Sequence, residues 1–113
     1  MGSEMCIRDR HDWIAVNLQS DLRVETLAEQ ANMSSRNFSR LYASEMKTTP
    51  AKAVEAMRIE AARQLLETTE LGVKEIARRC GFNDDERLRR AFVRLLETSP
   101  TDYRTQFKTN HHY

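Results

Sequence analysis

Four arginines, Arg87, Arg89, Arg90 and Arg94, fall on one expected helix in the C-terminal half of the chain. Guanidinium groups gathered on a helix suit an anionic polymer, because a surface that faces a nucleic-acid groove needs positive charge to neutralise phosphates. A solvated helix face explains the same run equally well, so the arginines alone decide nothing. The distribution of charge says more than the net +1. Residues 11–71 hold 7 Lys/Arg against 9 Asp/Glu, whereas residues 72–113 hold 9 against 6, which makes the second half the basic one.

Other chemistries find little support. No nucleophile with a neighbouring base, no phosphate loop and no pocketed carboxylate pair can be assembled from these residues, so an enzyme is not expected. Cys6 and Cys80 are the two cysteines, with no further Cys or His at zinc-ligand spacing, so no metal, disulfide framework or other cofactor is indicated. Such cysteine usage suits a reducing cytoplasm. No apolar run is long enough to cross a membrane, and the N-terminus lacks the apolar core of a secretory signal.

The elements that must position the arginines are legible in an internal repeat. Val24, Leu27, Ala28, Ala31 and Met33 match Val73, Ile76, Ala77, Cys80 and Phe82 at an offset of 49 residues; Phe38, Leu41, Tyr42 and Pro50 match Leu88, Ala91, Phe92 and Pro100 at an offset of 50. Each copy reads as a short helix, a tight turn and a second helix, since apolar residues recur three and four apart on either side of a break. The turns fall at Asn32-Met33-Ser34 and Gly81-Phe82-Asn83. Gly81 sits where a left-handed backbone is cheap, Ala28 and Ala77 where two helices approach closely. Asn83 is expected to cap the last of these helices, with Glu86 completing a capping box and Asp84 and Asp85 complementing the helix dipole. This is a helix-turn-helix pattern, whose second helix enters the major groove.

Between the copies, Thr49 caps and Pro50 opens a helix that runs to about Thr68. Two apolar stripes are expected on it, one of Val54, Met57, Ala61 and Leu65, the other of Ile59, Ala62 and Leu66, so that it packs against both units. At about 1.5 Å per residue it spans about 28 Å, near the ~34 Å between successive major-groove faces. A first helix from about His11 to Gln19 brings Trp13, Ile14, Val16 and Leu18 over the first copy, with Trp13 packed rather than stacking on bases. A last helix follows Ser99-Pro100, with Tyr103 and Phe107 turned inward. Residues 1–10 read as a cloning or gene-boundary remnant, residues 11–107 as the domain, and residues 108–113, including His111 and His112, as a frayed tail. With 40% hydrophobic and 31% charged residues, three glycines and two prolines in 113, the chain is expected to be all-α: about seven helices forming two helix-turn-helix units joined by a long linker helix.

VETLAEQANMSSRNFSRLY, MRIEAARQLLETT and VKEIARRCGFNDDERLRRAFVRLLETSPTDYR resemble, in that order, the DNA-binding domain of AraC/XylS-family bacterial transcription regulators. The resemblance covers about residues 11–107. ERLRRAF is similar to the subgroup that carries an amidotransferase-like sensing domain ahead of this one. Arg23 departs from the usual Ser or Thr cap and Cys80 from the usual aliphatic residue. The resemblance implies double-stranded DNA as partner, read by Arg36, Ser39 and Arg40 from the first unit and by Asp85, Glu86, Arg89 and Arg90 from the second. The guanidinium fork fits guanine O6 and N7, and a carboxylate accepts from cytosine N4; Asp85 and Glu86 read equally well as helix-start charges. Ser35, Asn37 and Arg94, with the N-termini of the helices at Pro50 and Pro100, are expected phosphate contacts. Family members also contact RNA polymerase, and a helical protein-interaction module is the alternative reading. No small-molecule effector is expected, since no sensing domain is visible.

Overall fold

The computed structural model describes residues 7–110. Among them are seven helices: α1 (Ile7–Ala15), α2 (Val24–Gln30), α3 (Ser35–Met46), α4 (Pro50–Thr68), α5 (Val73–Arg79), α6 (Asp85–Leu96) and α7 (Pro100–Asn110). The chain divides into two compact units, one ending at Glu55 and the other beginning at Ala56, and α4 contributes to each.

In the first unit α1 and α2 both pack on α3. Ile14, Leu27, Ala28, Phe38 and Tyr42 are buried, and the Phe38 and Tyr42 rings lie 5.7 Å apart. His11 Nδ1 and Tyr42 Oη are hydrogen-bonded at 2.7 Å. Arg23 at the N-cap of α2 offers no side-chain cap. Asp21, two residues back, ties the chain to the start of α2 without capping its amides, accepting from the Arg23 amide at 3.1 Å, the Arg23 Nε at 3.0 Å and the Thr26 hydroxyl at 2.9 Å. These donors hold its carboxyl well below the usual carboxylate range.

In the second unit Ile59, Ala62 and Leu66 of α4 pack with Ile76, Ala77, Cys80, Leu88, Ala91 and Phe92 in one buried cluster. Tyr103 of α7 meets Phe92 edge-on at 5.7 Å, and Phe107 stacks on Tyr103 at 6.4 Å. The phenol of Tyr103 donates to the Glu67 carboxylate and Arg63 Nη1 donates to the phenol at 3.2 Å. Burial pushes the Cys80 thiol up to about 11.

The repeat persists down to single hydrogen bonds. The Met33 amide donates to the Ala28 carbonyl and the Phe82 amide to the Ala77 carbonyl, both at 2.9 Å. Thr49 Oγ1 accepts from the Lys52 amide at 3.2 Å and Ser99 Oγ from the Asp102 amide at 3.0 Å, so buried Pro50 and Pro100 each open a capped helix. α3 and α6 end in the same way, on left-handed Lys47 (φ 63) and Glu97 (φ 60). Asn32 (φ 59) and Gly81 (φ 93) turn the chain at equivalent places.

Four expectations are corrected. Helix α1 starts at Ile7 and stops at Ala15, with Ile7 and Arg10 buried, so residues 7–10 belong to the helical part; Arg10 manages this by donating to Gln30 Oε1 at 2.8 Å while its guanidinium lies 5.3 Å from the Trp13 ring centre. Val16 lies beyond that helix and is 80% exposed. The cap of α6 is Asp84, not Asn83: its Oδ1 accepts from the Arg87 amide at 2.8 Å, and Glu86 turns to Arg90 instead of closing a capping box. On α4, Ala61 and Leu65 pack against the second-unit cluster beside Ile59, Ala62 and Leu66, because 61, 62, 65 and 66 form one broad stripe at helical spacing. Ala53 and Val54 are buried in the first-unit portion, Ala56 is exposed and Met57 is half-buried. Helix α7 continues through Asn110, and Lys108 within it pairs with Glu70 at 3.0 Å. Cys6, the rest of residues 1–6 and the His111–His112 pair lie outside the described residues.

Candidate nucleic-acid interface

Every side chain expected to touch DNA falls on α3 or α6, and the two helix N-termini expected to meet phosphates open α4 and α7. Helix α3 is set by Ser34, whose Oγ accepts from the Asn37 amide at 3.1 Å. With Phe38 and Tyr42 fully buried and Leu41 half-buried, the helix must turn its other side outward, and Arg36 and Arg40 are exposed there. Ser35, Asn37 and Ser39 are half-buried. Arg40 Nη2 donates to Asn37 Oδ1 at 2.5 Å, so the Asn37 amide serves to orient an arginine.

Helix α6 is set by the Asp84 cap and by burial of Leu88, Ala91 and Phe92. Glu86, Arg89, Arg90 and Arg94 come together with Val93 along one shallow open face. Arg90 Nε pairs with Glu86 Oε2 at 2.9 Å and Arg89 Nη2 with Asp85 Oδ2 at 3.4 Å, both one turn apart. Arg87, exposed on the same helix, makes no side-chain ion pair among the described residues.

Val93 was not among the expected contacts, although it is 49% exposed in the middle of the arginine face. Its signal is positional: it stands three and four residues beyond Arg90 and Arg89, on the side opposite Leu88 and Phe92. An apolar group there matches a thymine methyl in kind. The two proline-led helix starts differ, since α7 carries Asp102 in its first turn and α4 carries no acidic residue, so no first-turn carboxylate offsets the positive end of the α4 dipole. Among the described residues no cluster of His, Cys, Asp or Glu is placed to hold a metal ion, and no helix is long and apolar enough to cross a membrane.

Two copies of a short helix, a tight turn and an outward-facing second helix define a double helix-turn-helix domain. Residues 27–106 match the family model described as a helix-turn-helix domain, and the chain belongs to the AraC-type DNA-binding domains of bacterial transcription regulators. It is 45% identical over 85 residues to the HTH-type transcriptional regulator Rv1931c of Mycobacterium tuberculosis, a match that covers 75% of this chain and 33% of that protein. Among solved structures it resembles the DNA-binding domain of AdpA, a global transcriptional factor, in complex with a target DNA (35% identity, TM-score 0.89, covering 93% of this chain and 95% of that one). It also resembles the C-terminal domain of AraT, a response regulator from Geobacillus stearothermophilus (33% identity, TM-score 0.85, covering 88% and 84%). The chain spans about a third or less of the length of the first curated relatives it matches.

Proposed function

We propose that this chain is the DNA-reading part of a bacterial transcription regulator, with α3 and α6 each entering one of two successive major grooves of a duplex. The observation that carries the reading is the duplicated outward face: exposed Arg36 and Arg40 opposite buried Phe38 and Tyr42, and exposed Arg89 and Arg90 opposite buried Leu88 and Phe92. Arg36, Arg40, Arg89 and Arg90 read guanine edges, with Ser39, Asp85 and Glu86 as shorter-range partners of the bases. Ser35, Asn37, Arg94 and the N-terminus of α4 fix the register through phosphates and sugars. The AdpA domain's complex with a target DNA supports the assignment by analogy of fold and identity. Such a protein works in the cytoplasm on double-stranded DNA, with no catalytic step of its own.

A second partner is favoured by Leu95 and Leu96, 43% and 37% exposed at the end of α6. Apolar groups beside a basic face suit a protein surface better than a phosphate backbone, and RNA polymerase is the partner proposed for them.

Selection from random duplexes with the purified chain tests the main reading. A consensus with defined bases over two half-sites about one helical turn apart is expected. A bound pool with no preferred bases overturns the sequence-reading role.

A further inference from the structure

Helices α3 and α6 match in length and in the way they end, but their arginines keep different company. On α3, Arg36 makes no ion pair among the described residues and Arg40 bonds to a neutral amide. On α6, Arg89 and Arg90 are each paired with a carboxylate one turn towards the N-terminus. Helix α3 has no acidic residue in its first turn, whereas α6 has both Asp85 and Glu86 there.

We propose that α6 is a gated reader: Asp85 and Glu86 restrain Arg89 and Arg90 on non-cognate DNA and release them where a cytosine amino group takes over the carboxylate, so the second unit selects a C·G pair through a gate, while Arg36 and Arg40 of the first read guanine without one. This rests on α6 lying in a major groove, as proposed above. An exposed pair one helical turn apart shifts an equilibrium by only about a factor of two, so parting the arginine from its carboxylate is easy. The carboxylate is the demanding member. Inside a groove it lies in the negative field of the phosphates, and it needs an amino donor such as cytosine N4 to be satisfied. The guanidinium freed in the same step takes guanine O6 and N7. A site without such a pair leaves the carboxylate unmatched, which is discrimination by exclusion. Non-specific binding depends on phosphate neutralisation, and here two carboxylates offset the charge that Arg89 and Arg90 would bring. Helix α3 has no such brake.

The test compares the parent with D85N/E86Q on the selected duplex and on a scrambled duplex of equal composition, at two salt concentrations. The variant is expected to bind scrambled DNA about tenfold tighter, with a salt slope steeper by about 1 to 2. Its preference for the selected site should fall at least about fivefold, and reselection should lose the cytosine. A parent that discriminates while the variant keeps the same ratio, slope and consensus overturns the gate and leaves the reading of DNA intact. A parent that does not distinguish the two duplexes overturns both. If circular dichroism shows the double variant unfolded, E86Q alone carries the same comparison, because the Glu86 side chain is 58% exposed and its loss leaves the core untouched.

Discussion

Arg104 donates from Nη2 to the carbonyl of Thr69 at 3.0 Å and from Nε to the carbonyl of Leu66 at 3.2 Å, so one side chain of α7 closes the C-terminal end of α4. Those carbonyls are among the acceptors that a helix end leaves without an intrahelical donor. Replacing Arg104 by Ala should therefore destabilise the fold by about 1 to 3 kcal/mol, the range for hydrogen bonds made by a charged group. Chemical denaturation checks the loss, and DNA affinity per folded molecule should be unchanged.

The cap of α6 offers a sharper local test. Asp84→Ala should cost about 1 kcal/mol, because the Arg87 amide loses its acceptor. Asn83→Ala should cost a few tenths at most. The reverse order in a denaturation series would return the cap to Asn83.

Cys80 gives the domain a pH dependence at the alkaline end. Its thiol titrates at about 11 in the folded chain against 9.0 as its ordinary value. A raised folded-state value means that the associated stability is complete below about pH 9 and is lost as pH rises towards 11, a contribution on the order of 2 kcal/mol. Tyr42, pushed up to about 12 by burial, acts in the same direction at higher pH. Unfolding curves from pH 8 to 11 should show a shallower decline for Cys80→Ala than for the parent, and a bulky thiol reagent should reach Cys80 only on unfolding.

Replacing Arg40 or Arg90 by Ala should cost about 1 to 3 kcal/mol on the selected site and relax preference at one or two base pairs. Lys108→Ala removes only an exposed pair with Glu70 and should leave binding unchanged. Fluorescence anisotropy on single-base variants of the site measures both effects, and unchanged binding by both arginine variants would sink the assignment of these faces.

The role of α4 as a spacer is tested by inserting two alanines between Ala56 and Met57. That point lies beyond buried Ala53 and Val54 and ahead of Ile59, so both sets of core contacts survive. The insertion turns one unit against the other by about 200° and adds about 3 Å. Binding to the full site should collapse to weak, salt-sensitive binding while helical content is kept. Unchanged affinity in a folded variant would mean that one unit alone reads DNA.

The duplicated architecture was legible because its apolar residues recur at helical spacing on both sides of each turn, and the same residues (Leu27, Phe38, Tyr42; Ile76, Leu88, Phe92) are buried. The cap of α6 was missed although the repeat contained it: an offset of 50 carries Ser34 to Asp84 and leaves Asn83 as the inserted residue. Both side chains are good caps, so residue type alone could not choose. The phase of α4 failed for a different reason. Its apolar residues cover so much of the circumference that Ala61 and Leu65 can be assigned to either stripe, and only the packed α5–α6 pair decides. The start of α1 was hidden because Arg10 is buried, its guanidinium over the Trp13 ring and bonded to Gln30, which a polarity pattern reads as surface. The ion pairs on α6 follow from spacing one turn apart, but whether a carboxylate caps a helix or holds an arginine is settled by rotamers.

Lys47 and Glu97 hold left-handed backbone at the ends of α3 and α6 without being glycine. An L side chain is uncomfortable there, by about 1 to 2 kcal/mol, and glycine surrenders about 0.5 to 1 kcal/mol of that through its looser unfolded chain. Lys47→Gly and Glu97→Gly should each raise the melting temperature by a few degrees. For anyone wishing to use this domain as a DNA-reading module, the duplication thus marks a matched pair of places to toughen the scaffold, one per unit, where neither exposed arginine face is altered.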